Sequence, residues 1–295
     1  MSAGSAQTTL NEVTATEQQS ALLRVLAELP SLIVALSGGA DSAYLAWAAD
    51  QALGERSLCV TALSASYSAY DREQVEGFIA ASGVRHEFIE TQELSDDRYT
   101  ANNTDRCYFC KDELFRALDA LAADRKIAAV AYGINTDDTS DFRPGHRAAR
   151  EHKVLAPLLD AGLRKAEIRE LSRRAGLPTW DRPASACLSS RIPYGTEVTP
   201  ETLGRVERAE ASLRALGFRQ FRVRHFGETA RVEIAVEELP KALEEATSQS
   251  IAAGLRNAGY LHVAIDLKGY RQGSLNVALL PGAVELPASD FRILK

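Results

Sequence analysis

The first 175 residues alternate between short apolar runs and amphipathic stretches. The apolar runs predict strands over residues 32–36, 58–63, 84–89 and 127–132, with a shorter extended piece over 154–156. The amphipathic stretches predict helices over residues 20–29, 41–53, 71–82, 112–123 and 164–175. This alternation predicts an α/β fold, a doubly wound parallel sheet whose ligands lie at the carboxyl ends of the strands.

The pattern changes in residues 177–199, which are rich in Pro, Ser and Gly and show little periodicity. Beyond them, the sequence predicts helices over 200–216, 239–246 and 249–258, a hairpin over 219–236 that turns near Gly227, and a strand over 261–267. These elements predict a smaller C-terminal α+β domain with an antiparallel sheet. The predicted parts are a flexible tail (1–18), an α/β domain (19–180), a cysteine-bearing linker (181–199) and the α+β domain (200–295).

Composition narrows the range of partners. The chain has 295 residues, of which 45% are hydrophobic, so it can bury the cores of two domains. A formal net charge of −6 argues against a broad basic face, so we expect a small-molecule partner and no nucleic acid. The apolar runs are shorter than a bilayer span, and the polar first twenty residues do not resemble a signal peptide. We therefore expect a cytoplasmic protein that does not bind a membrane.

A glycine turn, SGGADS, occupies residues 37–42, where the first predicted strand is followed by a helix. Gly38 and Gly39 let backbone N–H groups converge on an anion, and the hydroxyls of Ser37 and Ser42 add donors at the positive end of the helix. The loop lacks the lysine and the glycine spacing of the nucleotide-hydrolase P-loop. It resembles instead the PP-loop of the ATP pyrophosphatases, which implies that these residues and Asp41 bind ATP. The alternative is a glycine turn without a ligand.

Two further predictions concern acidic side chains at the same edge of the sheet. Asp41 is expected to cap the helix that follows the loop, to hold a metal ion through water, or both. After the fourth predicted strand, Gly133 would let the backbone approach the nucleotide, and Asp138 would position metal or ribose. Alternatively, Asp137 and Asp138 form a solvated turn.

The four cysteines fall into two groups. Cys59 lies in an apolar strand and is interpreted as a packing residue. Cys107 and Cys110 have the spacing at which one turn presents two thiols to one metal or cluster, and Cys187 lies in the linker. Three thiolates with an open fourth position suit a 4Fe-4S cluster. A redox or persulfide-bearing set, a zinc site and no chemistry remain alternatives.

A resemblance to one family covers nearly the whole chain. It rests on SGGADS, NNTDRCYFCK, GINTDDTSDFRPG, PASACLSSRIPYGT, FRVRHFGETARVEI and DLKGYRQGSLN, which together resemble the LarE family. The resemblance implies an ATP- and Mg2+-dependent sulfurtransferase that acts on pyridinium-3,5-biscarboxylic acid mononucleotide in nickel-pincer cofactor biosynthesis. The enzyme would adenylate a carboxylate, release pyrophosphate and replace AMP by sulfur. The family also implies a homo-oligomer, with the C-terminal domain binding substrate or neighbouring subunits.

The family uses two routes of sulfur delivery. In one, a linker cysteine gives up its sulfur; in the other, three cysteines hold a 4Fe-4S cluster that carries the sulfide. Alignment on SSRIPYG puts Ala186 at the place of the sacrificial cysteine, and this chain has the CxxC pair. The resemblance thus favours a cluster on Cys107, Cys110 and Cys187, with Cys187 as a sacrificial donor in the alternative mechanism.

The resemblance also assigns three arginines to the substrate. Arg191, Arg222 and Arg224 match family positions that bind the substrate phosphate, and alternation places the last two on one face of a strand. The alternative is an exposed, charged strand face. Glu210 and Glu233 match family acids near a metal or a subunit contact, with surface salt bridges as the alternative.

Three other functions compete with this one. A tRNA-thiolating PP-loop enzyme would share the ATP loop and the cluster but should show a basic surface or zinc-binding knuckles. An amidotransferase of the NAD-synthetase type would adenylate a carboxylate but would not need the three cysteines. A nucleotide-binding module without activity would need neither the cysteines nor the second domain.

Overall fold

The computed structural model describes residues 3–140, 145–183, 186–271 and 273–275. Internal contacts divide the chain into two compact units. The first consists of the residues up to Ser189 together with Glu197–Leu203, and the second of Ser190–Thr196 and the residues from Gly204 onward. Residues 276–295 of the predicted C-terminal domain lie outside the described residues.

A parallel sheet forms the centre of the first unit. Its strands are β1 (Leu32–Ala35), β2 (Ser57–Leu63), β3 (His86–Glu90) and β4 (Ala129–Tyr132), in the order β3-β2-β1-β4. Val34 on β1 lies opposite Cys59 on β2 and Ala131 on β4. The β1–β2, β1–β4 and β2–β3 pairings are all parallel. The predicted α/β fold with a parallel sheet is confirmed.

Helices cover both faces of this sheet. They are α1 (Ala3–Ala27), α2 (Ala40–Leu53), α3 (Ala69–Ser82), α4 (Asp97–Thr100), α5 (Arg106–Arg125), α6 (Gly145–Glu151), α7 (Pro157–Asp160) and α8 (Lys165–Arg174), followed by α9 (Pro200–Ala215), which continues into the second unit. Leu32 and Val34 belong to one buried cluster, which also includes residues of α1, α2 and α8. Ile33 belongs to a second cluster with residues of α5 and α6. Both faces of β1 are therefore buried, as is usual in parallel sheets.

Two helices begin six or more residues earlier than the sequence predicts. α1 begins at Ala3, so residues 3–18 of the predicted tail are helical; this stretch has no proline and contains several Ala, Gln and Glu residues, which favour helix. α5 begins at Arg106 rather than at residue 112. The buried Arg106 donates locally to Asn102 Oδ1 and, across the fold, to the Ser189 carbonyl. These contacts outweigh the weak helix propensity of the cysteine and aromatic residues that follow.

The second unit contains a three-stranded sheet of β5 (Phe221–Phe226), β6 (Thr229–Ile234) and β7 (His262–Ile265). β5 and β6 form the predicted antiparallel hairpin, which turns at Gly227 with φ 60°. β7 pairs with β6 in parallel, so the prediction of an antiparallel sheet is wrong for this strand. The reason is the connection: α10 (Leu239–Leu243) and α11 (Glu245–Asn257) carry the chain back to the start of β6 before β7 begins.

None of the helices in the described part of the chain combines the length and the apolar character needed to cross a membrane.

Replacing Phe115 by Ala should destabilise the first unit, because this side chain is fully buried on α5 and packs edge-to-face on Tyr132 of β4. We expect a loss of about 3–5 kcal/mol in the free energy of unfolding. Trp47 and Trp180 both lie in the first unit, so tryptophan fluorescence during urea unfolding reports on it alone. Leu243→Ala, at a position that is 54% exposed in the second unit, is the control. Equal midpoints for the two variants would contradict the assignment of Phe115 to the core.

Candidate active site

The glycine loop connects β1 to α2, as the sequence predicts. Ser37 Oγ and Ser42 Oγ lie 3.0 Å apart, and Ser42 Oγ also accepts from Ser37 N and donates to the Gly39 carbonyl. The two hydroxyls therefore bond to each other and to the loop, which stabilises its conformation. Gly38 has φ +82°, a conformation that side chains disfavour.

The backbone N–H groups of this loop are its available donors. Among the described residues, neither Gly38 N nor Gly39 N donates a hydrogen bond to another group. Gly39 is the N-cap of α2 with an extended backbone and no side-chain cap, so the prediction that Asp41 caps this helix is wrong. A helix N-terminus with unsatisfied N–H groups attracts anions.

The turn after β4 packs directly on this helix. A Cβ added at Gly133 would lie 2.7 Å from Ser42 N and 2.8 Å from Ser42 Cα, so only glycine fits against the first turn of α2. In this structure Gly133 is required by the helix backbone, and its approach to a nucleotide stays a prediction.

Asp41 and Asp138 lie near each other at this edge. Asn135 Nδ2 donates to Asp41 Oδ2 at 3.1 Å, and Lys165 Nζ lies 3.5 Å from Asp138 Oδ1. Burial, reinforced by the charge of Asp138 and only partly offset by Lys165, raises the pKa of Asp41. Asp41 Oδ1 is buried and has no hydrogen-bond partner among the described residues. The unpartnered oxygen and the nearby negative charge of Asp138 favour a cation beside this carboxylate.

The solvated-turn alternative fits only one of the two aspartates after β4. Asp137 is exposed, and its Oδ2 accepts from Lys165 N at the beginning of α8. Asp138 is 4% exposed and accepts from Asn135 N.

Several polar residues at this edge were missed in the sequence. Asn135 and Lys165 contact the two aspartates, and the charge of Arg169 opposes the rise in the pKa of Asp41. Asn135 lies in the turn after β4, which the sequence predicts to lie at this edge, although it gave Asn135 no role. Lys165 and Arg169 lie on α8, and no motif in the sequence relates their positions to the loop. Only the order of the parallel strands could have pointed to them.

Three cysteines lie in the first unit outside its core. Cys107 and Cys110 lie within the first five residues of α5, on one side of the helix because they are three residues apart. Burial and the neighbouring Cys187 raise the pKa of Cys110, so these thiols are close enough to interact electrostatically. None of the four cysteines, all of which are described, forms a disulfide. Cys59 is fully buried in β2, as a packing residue would be.

Buried charges of both signs flank these thiols. Burial lowers the pKa of Arg106, but the neighbouring Cys187 and Cys107 raise it. The net effect is that the pKa of Arg106 is raised. The Glu93 carboxylate, 4% exposed, accepts from Ser66 Oγ and Thr91 Oγ1. It contributes to the raised pKa of Cys110.

The cysteines do not surround one point. Within the described residues, no group of three or more Cys, His, Asp or Glu side chains is placed to hold a metal ion. A single tetrahedral ion draws its thiolates to about 4 Å from one another, whereas the cysteines of a four-iron cluster bind different irons and lie further apart. The predicted ligand set of Cys107, Cys110 and Cys187 stays a prediction.

The second unit contains the three predicted phosphate-binding arginines. Arg191 makes a two-pronged ion pair with Glu210, at 2.8 and 2.9 Å. Arg224 donates to Glu233 Oε2 at 3.0 and 2.8 Å and to the Ser190 carbonyl. Both arginines and both glutamates are buried, so neither an exposed strand face nor surface salt bridges describe this cluster.

Arg222 brings a third guanidinium group to this cluster. It lies on the same face of β5 as Arg224, and its guanidinium lies 5.2 Å from the ring centre of Tyr270. Burial lowers the pKa of Arg222, and repulsion by Arg191 and Arg224 lowers it further, although Glu210 opposes this. A bound anion would relieve the repulsion.

If the glycine loop binds ATP as the sequence predicts, Gly133→Ala should weaken that binding, because the added methyl meets backbone atoms of α2 that cannot move independently. We expect at least about a tenfold increase in the Kd for ATP, measured by calorimetry, since displacing the first turn of α2 misplaces the donors. Gly77→Ala on α3, where an added Cβ meets nothing within 4 Å, is the matched control. Unchanged ATP affinity in the first variant would show that the Gly133 contact does not shape the site.

Glu210 should make the stability of the second unit depend on pH. Burial alone would raise the pKa of this carboxyl, but Arg191 brings it below the 4.5 of an ordinary glutamate. Because the folded pKa is the lower one, the pairing stabilises the unit above about pH 4.5, and this contribution is lost as the pH falls below that value. Hydrogen-exchange protection of β5 and β6 should fall accordingly.

Glu210→Gln removes this titration and leaves Arg191 buried without its carboxylate. The variant should be less stable near pH 7, by about 3–5 kcal/mol, with a flatter acid dependence. Glu237→Gln, at an exposed position of the same unit, should behave like the wild type. The same acid dependence in Glu210→Gln and wild type would exclude Glu210 as the titrating group.

Comparisons with known proteins identify relatives along most of the chain. No model of a protein family matches it. Uncharacterized protein slr1717 of Synechocystis is 40% identical over 258 residues, 88% of this chain and 96% of the relative. The pyridinium-3,5-bisthiocarboxylic acid mononucleotide synthase of Lactiplantibacillus plantarum is 32% identical over 265 residues, 89% of this chain and 95% of the synthase. The chain therefore belongs to the LarE family, that of the pyridinium-3,5-bisthiocarboxylic acid mononucleotide synthases.

Proposed function

We propose that this protein is an ATP-dependent sulfurtransferase. It converts a carboxylate of pyridinium-3,5-biscarboxylic acid mononucleotide into a thiocarboxylate, in line with the name of its Lactiplantibacillus relative. The observation that carries the proposal is the loop between β1 and α2, where Gly38 N and Gly39 N, at the start of a helix, donate to no described group. Such a loop suits the phosphates of ATP.

The residues around the loop have distinct roles in the proposed first step. Gly38 and Gly39 donate their N–H groups to the phosphates, and Lys165 supplies positive charge from α8. Asp41 is suited to hold Mg2+, because its Oδ1 is buried without a hydrogen-bond partner among the described residues. When bound there, Mg2+ would neutralise charge on the departing pyrophosphate.

The first step is the adenylation of the substrate. A carboxylate oxygen of the substrate attacks the α-phosphorus of ATP, and the bond from that phosphorus to the bridging oxygen of pyrophosphate breaks. The products are an acyl adenylate and pyrophosphate. N–H donors preorganised at the loop stabilise the negative charge that the leaving group gains.

The second step places sulfur on the activated carbonyl. Sulfur at the oxidation level of sulfide forms a C–S bond while the C–O bond to AMP breaks, so that no oxidant or reductant is consumed. A 4Fe-4S cluster would supply this sulfide. The three thiols of the first unit are the type of ligand it requires, and Arg106 provides a positive charge beside Cys107 and Cys187.

Cys187 offers a second source of sulfur within the same function. The thiolate of Cys187 would displace AMP to give a thioester. Loss of the Cα proton of Cys187 and cleavage of its Cβ–S bond would then release the thiocarboxylate and leave dehydroalanine at position 187. The CxxC pair, together with Ala186 at the place of the sacrificial cysteine, favours the cluster.

The second unit would bind the phosphate of the substrate. Arg191, Arg222 and Arg224 are the candidate ligands, because burial and repulsion by the other two arginines lower the pKa of Arg222, and a bound anion would relieve the repulsion. Glu210 and Glu233 hold two of the three guanidinium groups in fixed orientations.

The proposal predicts that adenylation and sulfur transfer can be separated. Cys107→Ser, Cys110→Ser and Cys187→Ser should retain substrate-dependent exchange of pyrophosphate into ATP, because the glycine loop is built from other residues. Each should lose nearly all thiocarboxylate formation, measured by mass spectrometry after anaerobic reconstitution with iron and sulfide. Cys59→Ala, in the core of β2, is the matched control and should keep both activities.

The outcomes distinguish the two sources of sulfur. Iron and a cluster signal in the paramagnetic resonance spectrum of the reduced wild type, lost in Cys187→Ser, would support the cluster. Thiocarboxylate formed without iron, with loss of the elements of H2S from residue 187, would establish the sacrificial route. Absence of pyrophosphate exchange in the wild type would refute the proposed function.

A further inference from the structure

The orientation of two peptide groups decides where the glycine loop directs its donors. In a trans peptide the carbonyl of one residue and the N–H of the next point in opposite directions. The carbonyl of Ser37 therefore fixes the direction of Gly38 N–H, and the carbonyl of Gly38 fixes that of Gly39 N–H. Groups that bind these two carbonyls thus aim the two donors.

Tyr67 binds the first carbonyl. Its hydroxyl lies 3.2 Å from the carbonyl oxygen of Ser37 and 3.3 Å from the carbonyl oxygen of Asp71. The phenol therefore lies between the loop and α3. Burial raises the pKa of Tyr67, and the hydroxyl remains a donor at neutral pH.

Arg182 binds the second carbonyl. Its Nη1 donates to the Gly38 oxygen, and its Nη2 donates to Asp71 Oδ1 in an ion pair in which both side chains are almost completely buried. Ser68 Oγ, the N-cap of α3, donates to the other oxygen of Asp71 at 2.6 Å. The guanidinium therefore has one orientation, set by α3.

The space around Gly38 shows how closely these groups meet the loop. A Cβ at Gly38 would lie 2.8 Å from Val75 Cγ2 and 3.0 Å from Arg182 Nη1. Gly38 thus packs against α3 and the guanidinium of Arg182. Because the Ser37 and Gly38 carbonyls bind Tyr67 and Arg182, the N–H groups of Gly38 and Gly39 point away from these two side chains.

We propose that Tyr67 and the Arg182–Asp71 pair are positioning residues that aim the N–H groups of the glycine loop at the phosphates of ATP. This inference rests on the proposed function, since it requires that the loop binds phosphate. It also assigns a role to a residue of the cysteine-bearing segment, because Arg182 precedes Cys187 by five positions. A buried ion pair adds little net stability, so its placement on a loop carbonyl is better explained by geometry.

The test compares ligands with and without phosphates. Calorimetry gives the Kd of Mg2+-ATP, Mg2+-pyrophosphate and adenosine for the wild type, Tyr67→Phe and the double variant Arg182→Met with Asp71→Asn. Tyr67→Phe removes one hydroxyl without changing the packing. The double variant removes both charges of the pair, so that neither is left buried alone. Arg72→Met, at a half-exposed arginine on α3, is the control.

We expect the double variant to bind ATP and pyrophosphate about tenfold more weakly, which corresponds to about 1.4 kcal/mol, and Tyr67→Phe to show a smaller loss. Adenosine affinity should stay within about twofold of the wild type, because no phosphate contact is involved. A structural role alone would weaken adenosine and ATP binding together. Tryptophan fluorescence melts verify that each variant is folded.

Two results would overturn the inference, and they differ in what else they affect. If the wild type binds ATP and pyrophosphate and both variants bind them equally well, the positioning role is wrong and the proposed function stands. If the wild type binds neither ligand, the proposed function fails as well.

Discussion

The contact between the turn after β4 and the first turn of α2 is the constraint on which the rest of the candidate site depends. Only glycine fits at position 133, because an added Cβ would lie 2.7 Å from Ser42 N. This contact brings Asn135 within hydrogen-bond distance of Asp41 and places Asp138 nearby. It exists because β1 and β4 are adjacent and parallel, so that their carboxyl ends share one edge. The order of the strands therefore determines which side chains surround the loop.

Buried ion pairs occur beside the proposed anion-binding groups in both units. Asp71 pairs with Arg182 behind the loop of the first unit, whereas Arg191 pairs with Glu210 in the arginine cluster of the second. Desolvation offsets much of the attraction in such pairs. Their effect is to give each guanidinium a single orientation. Binding of an anion then requires less ordering of long side chains, and the affinity gained is correspondingly larger.

The sequence predicts those features that local signals determine. Hydrophobic periodicity gave the parallel sheet, and the glycine motif located the loop between a strand and a helix. The direction of β7 and the start of α5 at Arg106 depend on contacts between distant segments, so periodicity could not predict them. Arg182 was missed for the same reason: it is 144 residues from the Gly38 carbonyl that it binds, and nothing in its own segment indicates that partner.

The three cysteines show how much a short motif can specify. The CxxC spacing fixes the relation of Cys107 to Cys110, because both lie on one helical turn. It does not determine the position of Cys187. That position depends on Arg106, whose guanidinium donates to the Ser189 carbonyl from the same turn of α5. The hydroxyl of Tyr99 lies 2.6 Å from Ser189 Oγ and binds the Cys187 segment at the same residue. The segment that carries Cys187 is therefore held by buried hydrogen bonds to Ser189, which the motif does not specify.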